Sequence, residues 1–462
     1  MPPHKMDFRT AVEMVISKMR EDEDPSHKRL REDIAHPSKP ARDVLPGFTR
    51  VNKTGVIYVT SRAQEEGYYY GNQEWANFGQ GAPEVGRIPG AEPRPTQLSF
   101  EEDANEYAPV TGTKTLRQKI ADLYNHRYRQ GKQSQYTYEN VCITPGGRAA
   151  LTRLAAAIGD VYVGFFLPDY TAYEEVLSIF KRLVPIPNQA HKEENYRVNS
   201  DRLRHEINEK GLSVILESNP CNPTGQLLEG EELKSRVQVA RETKCTLIMD
   251  EFYSSYVYTS DPSEAKTVSS AEFVEDVNTD PVVIVDGLTK NWRLPGWRVC
   301  WIIGPRELIE SVSSAGSFLE GGANSPLQSA ALPLLDPEYA RKDVIALQTH
   351  FKSKRDYILE RFKSMSGIKV DVDPQATFYI WANLSDLPEH IRNGVRFFEE
   401  CIKEKVIVVP GIFFDVNPGK RRELYNSPFQ NYVRLSFGPG MDHIVKGLDA
   451  IERVIKKFQQ KE

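Results

Sequence analysis

Residues 213–250 read SVILESNPCNPTGQLLEGEELKSRVQVARETKCTLIMD. A short apolar run at 213–218 turns through two Asn-Pro pairs. It continues as a helix-like segment at 230–243 and ends in a second apolar run at 246–250. Strand, loop, helix and strand of these lengths make a βαβ unit, whose two strands run parallel. Proline fixes φ and restricts the residue before it, so Ser218-Asn219-Pro220-Cys221-Asn222-Pro223-Thr224-Gly225 forms a tight loop at a strand's C-terminal end. Open α/β sheets bind ligands at those ends. Taken alone, the segment is also readable as an ordinary proline-containing loop.

The same alternation extends outward in both directions. Strand-length apolar runs occur at 140–144, 160–167, 282–286 and 299–304, with helix-like stretches at 114–128, 148–158 and 173–182. Val- and Ile-rich strands alternating with helices imply a mostly parallel sheet covered on both faces. After about 330 the pattern changes to a long amphipathic helix at 344–362, strands at 377–382 and 405–409, and a terminal helix. That helix presents Ile444, Leu448, Ile451, Ile455 and Phe458 on one stripe. The expected division is an N-terminal arm at 1–75 with a helix at 10–20, a large α/β domain at 76–325 and a smaller α+β domain at 326–462. The arm reads either as a partly ordered extension or as a segment that packs on a partner subunit, and a contribution from it to the small domain stays open.

The 462 residues exceed one ordinary domain of ~100–200 residues. Hydrophobic residues are 40% and charged residues 27%, the balance of a globular enzyme. A net charge of −5 speaks against a nucleic-acid partner, which requires a basic stripe. The five cysteines are scattered and form no Cys-x-x-Cys pair, which suits free thiols in a reducing compartment. No run reaches the ~18 apolar residues of a membrane helix, and residues 1–7 carry no apolar core of a secretory leader. A cytoplasmic location is expected.

Four further residues invite chemistry. Asp250 ends an apolar strand, where a carboxylate is costly without a positive partner. Tyr253 follows three residues later. A helix N-cap is the alternative for Asp250. Lys290 lies just past the strand at 282–286, and a partly desolvated lysine is a candidate Schiff-base nucleophile. Arg298 follows eight residues later. One residue at a time, solvated surface is the usual fate of both cations.

Taken together, these residues resemble the class I/II aminotransferases, the pyridoxal-phosphate enzymes of the aspartate aminotransferase superfamily. Asn222-Pro223-Thr224-Gly225 is followed by Asp250-x-x-Tyr253, then Lys290, then Arg298, in the family's order and spacing. Tyr107-Ala108-Pro109-Val110-Thr111-Gly112 with Leu116-Arg117 resembles its N-terminal signature, and Asn431-Tyr432-Val433-Arg434-Leu435-Ser436-Phe437 its C-terminal arginine strand. The resemblance covers roughly residues 75–460. It implies the α/β fold of pyridoxal-phosphate-dependent transferases (fold type I) and an aminotransferase of amino-acid metabolism. An amino group passes from an amino acid to a 2-oxo acid through pyridoxamine phosphate.

By the same resemblance, Lys290 forms the Schiff base and moves the proton, and Asp250 holds the pyridine nitrogen protonated so that the ring accepts electrons. Asn222 and Tyr253 bond the phenolic oxygen. Arg298 clamps the phosphate, and Gly147 and Arg148, in Pro145-Gly146-Gly147-Arg148, form its cup at a helix N-terminus. Tyr170 stacks on the ring. Tyr107 reaches the phosphate of a neighbouring subunit, which implies a homodimer with shared sites. Arg434 binds the substrate α-carboxylate, and Gly81 and Asn222 border the substrate. No metal ligand set is implied.

Some positions depart from the commoner pattern. Gly287 stands where many members have a serine that touches the phosphate, with Thr289 or Arg148 as replacements on offer. Leu294-Pro295-Gly296-x-Arg298-Val299 also resembles the aminocyclopropane-carboxylate synthases, so a lyase or cyclase on the same scaffold stays open. A non-catalytic regulator would be expected to carry a basic DNA-binding module, whereas the arm is mixed in charge. For the substrate side chain, Tyr68, Tyr69, Tyr70 and Trp75 either favour a bulky apolar group or pack the arm. Arg87 and Arg94 either serve a second carboxylate or lie in solvent.

Overall fold

The computed structural model describes residues 55–180, 182–422 and 426–460. The helix expected at 10–20 lies outside them. In chain order the elements begin with α1 (Gly55–Glu65), β1 (Ala76–Asn77), α2 (Lys114–Tyr128), β2 (Val141–Thr144), α3 (Gly147–Ala157) and β3 (Tyr162–Leu167). Next come α4 (Tyr173–Ile179), β4 (Val184–Gln189), α5 (Ser200–Lys210), β5 (Leu212–Ser218), α6 (Gly230–Thr243), β6 (Thr246–Asp250), β7 (Val282–Gly287) and β8 (Cys300–Ile303). The rest are α7 (Arg306–Leu319), α8 (Ser325–Ala331), α9 (Pro337–Ser364), β9 (Lys369–Val370), β10 (Tyr379–Asn383), α10 (Gly394–Lys403), β11 (Val406–Ile407), β12 (Val409–Pro410), β13 (Tyr432–Ser436) and α11 (Met441–Gln459).

Seven strands form one sheet in the order β2-β8-β7-β6-β5-β3-β4. The run β7-β6-β5-β3-β4 is parallel throughout, and β8 is antiparallel to both its neighbours. The mostly parallel α/β architecture expected from the alternation is present. β6 and β7 are buried over nearly their whole length, as strands covered on both faces must be. The sequence pattern missed β4, whose VPIPNQ carries two prolines. It forms the sheet edge, where a strand tolerates residues that donate no ladder hydrogen bond.

A second sheet, β12-β13-β10-β9, is antiparallel. The strand expected at 405–409 is two short pieces that serve different sheets: β12 joins β13, while β11 pairs in parallel with β1. Ala76 and Asn77 therefore sit against Val406 and Ile407 rather than in the large sheet. α9 starts seven residues before the expected 344 (344 − 337). Asp336 caps it by accepting from the Glu338 and Tyr339 N–H groups, and Pro337 suits the first helical position. α11 buries Ile444, Leu448, Ile451, Ile455 and Phe458, the stripe read from the sequence.

Candidate active site

The chemistry-bearing loops all leave the C-terminal ends of large-sheet strands. Gly146 and Gly147 follow β2 at the head of α3, Tyr170 follows β3, and Asn222 follows β5. Asp250 ends β6, Lys290 follows β7, and Arg298 immediately precedes the antiparallel β8. Across from them, β10 and β13 contribute Tyr379 and Arg434, and the segment after β1 contributes Gln80, Gly81 and Ala82. These groups line one cavity of about 420 Å³. It gathers Gly81, Gly147, Arg148, Tyr170, Asn222, Asp250, Tyr253, Lys290, Arg298 and Arg434 from across the chain. Tyr107 lies outside that lining and is 97% exposed.

Lys290 Nζ donates to the Gly81 carbonyl. Desolvation in the cavity, reinforced by Arg434, Arg298 and Arg148, pushes its pKa down to about 7 against a weaker opposing pull from Cys300. Burial drives the Asp250 carboxyl the other way, up to about 6, opposed by the Tyr173 hydroxyl, the Phe252 N–H and Lys290. Tyr173 donates to Asp250 Oδ2 at 2.8 Å. Tyr253 and Tyr379 bring their hydroxyls to 2.6 Å, and burial first, then Tyr379, raises the Tyr253 pKa well above its ordinary value.

Arg434 is 1% exposed. Its Nη1 donates to Asn222 Oδ1 at 2.9 Å and its Nη2 to the Gly79 carbonyl at 2.8 Å. Its Nε has no partner among the described residues, and no carboxylate there pairs with the guanidinium. A buried cation in that state invites an anion. The glycine pair after β2 is sterically forced. Gly146 adopts φ +107°, and a Cβ on it would overlap the Arg298 guanidinium. A Cβ on Gly147 would stand 2.5 Å from Phe252 Cζ. Arg298 is thereby held against the N-terminus of α3, a ready site for an anionic oxygen group.

Gly287 packs against Cys300, leaving no room for a side chain, and Thr289 Oγ1 lies 3.2 Å from Cys300 Sγ. Arg148 lines the cavity and makes no side-chain hydrogen bond among the described residues. Two functional neighbours escaped the sequence reading. Tyr173 stands one helical turn beyond Tyr170, a spacing that was available. For Tyr379 no signal marks which residue of its strand faces the cavity. Of the aromatic residues before the entrance, Tyr68 and Trp75 are buried, whereas Tyr69 and Tyr70 are exposed. Tyr68 and Trp75 bury against one another at 5.5 Å, and none of the four lines the cavity. Arg94 is held by Asp343 at 2.7 Å, and Arg87 is exposed outside the lining.

The family model for aminotransferase class I and II matches residues 73–446. The aspartate aminotransferase of Sulfurisphaera tokodaii is 28% identical over 390 residues, covering 82% of this chain and 89% of its own. A probable aspartate/prephenate aminotransferase of Aquifex aeolicus is 26% identical over 363 residues, covering 78% and 86%. The solved aspartate aminotransferase of Thermus thermophilus with maleate superposes with a TM-score of 0.71 at 23% identity, covering 87% of this chain and 97% of that one. These relatives carry aminotransferase names, so the lyase or cyclase alternative is not favoured. The chain belongs to the class I and II aminotransferase family, the pyridoxal-phosphate-dependent enzymes that move an amino group from an amino acid to a 2-oxo acid.

Proposed function

We propose that the chain works as a cytoplasmic homodimer whose amino-acid substrate docks its α-carboxylate on Arg434 while Lys290 moves the proton at Cα. The observation that carries this reading is the Arg434 guanidinium, buried, held from two sides and lacking a carboxylate partner among the described residues. Its planar fork suits a planar carboxylate, and each Nη carries a second N–H to offer it.

The residues fit pyridoxal phosphate. Gly147, Arg148 and Arg298 offer backbone N–H groups, a helix N-terminus and a cation to the phosphate, while the Gly146 N–H is spent on the Thr144 carbonyl. Asp250 is a buried carboxyl that a protonated pyridine nitrogen would hold ionised. Asn222 and Tyr253 lie where they can bond the phenolic oxygen, and Tyr170 can cover the ring. Bound there, the cofactor supplies the electron sink for the Cα carbanion and the carbon that carries the amino group. Lys290, with a pKa near neutrality, is free to accept a proton from substrate Cα and return it. Tyr173 keeps Asp250 oriented through its hydrogen bond.

In the proposed division, the bulk of 76–325 forms the large domain and 326–462 the small one. α1 and β1 are counted with the small domain, because Arg62 pairs with Glu399 and β1 pairs with β11. The dimer is supported by Tyr107, which projects almost free of its own subunit, and by Phe318, 73% exposed. A reducing location is supported by five free thiols. Among the described residues no helix is long and apolar enough to cross a membrane.

The test is a half-reaction. Holoprotein is mixed with single amino acids and no oxo acid, and the visible absorbance and the released small molecules are followed. Aspartate heads the panel, because it is named in several relatives. Loss of the cofactor's visible band with release of the matching 2-oxo acid is expected. A released product that is not a 2-oxo acid, with the band restored, would overturn the reading.

A further inference from the structure

We propose that Tyr379 is a positioning residue that couples the substrate-carboxylate site at Arg434 to the hydroxyl of Tyr253. The inference rests on the function proposed above and adds to it a residue that the sequence motifs do not mark.

Tyr379 is fixed by the small sheet. In the β10–β13 ladder Tyr379 lies opposite Ser436, and Trp381 lies opposite Arg434. Tyr379 and Arg434 are therefore diagonal neighbours on one sheet face, within reach of long side chains. The Arg434 guanidinium sits 4.1 Å from the centre of the Tyr379 ring. At that distance the ring face attracts the cation and limits where it can swing. The Tyr379 hydroxyl lies 2.6 Å from that of Tyr253. A Cβ on Gly81 would stand 2.5 Å from the same hydroxyl, so the entrance segment closes over it. One side chain thus touches the entrance, the carboxylate cation and the residue assigned to the cofactor's phenolic oxygen.

Proton counting gives the coupling a direction. Each tyrosine hydroxyl has one proton to donate. If Tyr253 points its proton at the phenolic oxygen, the short bond between the two hydroxyls must use the proton of Tyr379. A hydroxyl that accepts a hydrogen bond becomes a stronger donor. Tyr379 therefore strengthens the bond from Tyr253 and favours the deprotonated phenolic oxygen. Its ring acts separately, by holding Arg434 in place for the carboxylate.

Two variants separate the two actions. Tyr379→Phe keeps the ring and removes the hydroxyl, whereas Tyr379→Leu removes both. Each holoprotein is titrated with pH by its visible cofactor absorbance, and its KM for the donor amino acid is measured. For Tyr379→Phe the absorbance midpoint should rise by about half a pH unit, because the phenolic oxygen loses support, while KM stays within about twofold. Tyr379→Leu should raise the midpoint similarly and also raise KM roughly thirtyfold, the scale of a desolvated cation–ring contact. An unmoved midpoint in Tyr379→Phe, or a KM in Tyr379→Leu no higher than in Tyr379→Phe, overturns the proposal. A wild-type chain that never develops the absorbance, or keeps it in Lys290→Ala, would instead refute the function on which the proposal rests.

Discussion

Arg434 Nη1 donates to Asn222 Oδ1 at 2.9 Å, tying the middle of the small antiparallel sheet to the loop that follows β5 of the large one. The contact spans 212 positions of sequence (434 − 222). The cation assigned to the substrate is thereby held by a residue assigned to the cofactor. Binding of one should be sensed at the other.

Replacing Arg434 should affect the amino acid far more than the cofactor. Arg434→Lys keeps the charge but loses the fork, and kcat/KM should fall roughly 10–100-fold, the worth of a charge-assisted hydrogen bond of about 1.5–3 kcal/mol. Cofactor content should stay near that of the parent protein. Steady-state kinetics beside an absorbance ratio check both, and an unchanged KM would move the carboxylate site elsewhere.

Asp250→Asn separates stability from catalysis. The folded pKa of Asp250 is raised from 3.8 to about 6 by burial. Its favourable contribution is therefore fully present below pH 3.8 and lost as pH rises through 6. At pH 8 the ionised carboxylate costs the cofactor-free protein about 3 kcal/mol relative to a neutral isostere. The cofactor-free variant should melt higher than the parent at pH 8 and alike near pH 3.8. The loaded variant should lose about 10³-fold in turnover, because the pyridine nitrogen has no carboxylate partner. Thermal melts at two pH values and single-turnover kinetics read the two effects separately.

The apoprotein should take up pyridoxal phosphate with an early pH response. Only the neutral amine of Lys290 attacks an aldehyde, and its pKa lies at about 7 rather than 10.5. The uptake rate should climb through pH 7 and level off by about pH 8, a unit above the pKa, where an ordinary lysine would still be gaining. Stopped-flow absorbance gives the profile. A rate still rising tenfold per pH unit at pH 9 would contradict the desolvation argument.

Gly146→Ala should fold and lose cofactor. The added Cβ overlaps the Arg298 guanidinium, and the backbone already sits at φ +107°. The arginine must swing away from the head of α3, and the strain of about 1–3 kcal/mol falls on the phosphate site. Pyridoxal phosphate affinity should drop roughly tenfold or more, measured by equilibrium titration of the apoprotein. Gly296→Ala is the control, since a Cβ there meets nothing within 4 Å.

Much of this molecule is written locally. The β5 and β6 strands, the Asn-Pro loop between them and the α6 helix follow from apolar runs, proline geometry and helical spacing, which act over a few residues. Those short-range rules also put Asn222, Asp250 and Lys290 at strand ends, where an α/β sheet must bind its ligand. The order of these residues was enough to mark the family. Tertiary structure alone decided what such rules do not encode. β1 pairs with β11 and with no strand of the large sheet, since a two-residue strand has no pattern strong enough to choose its partner. Tyr379 turned its hydroxyl onto Tyr253, and Arg434 found Asn222, because both meetings join residues far apart in the chain. The near-neutral Lys290 and the reluctant Asp250 likewise arise from desolvation, which no segment possesses until the whole cavity has closed around it.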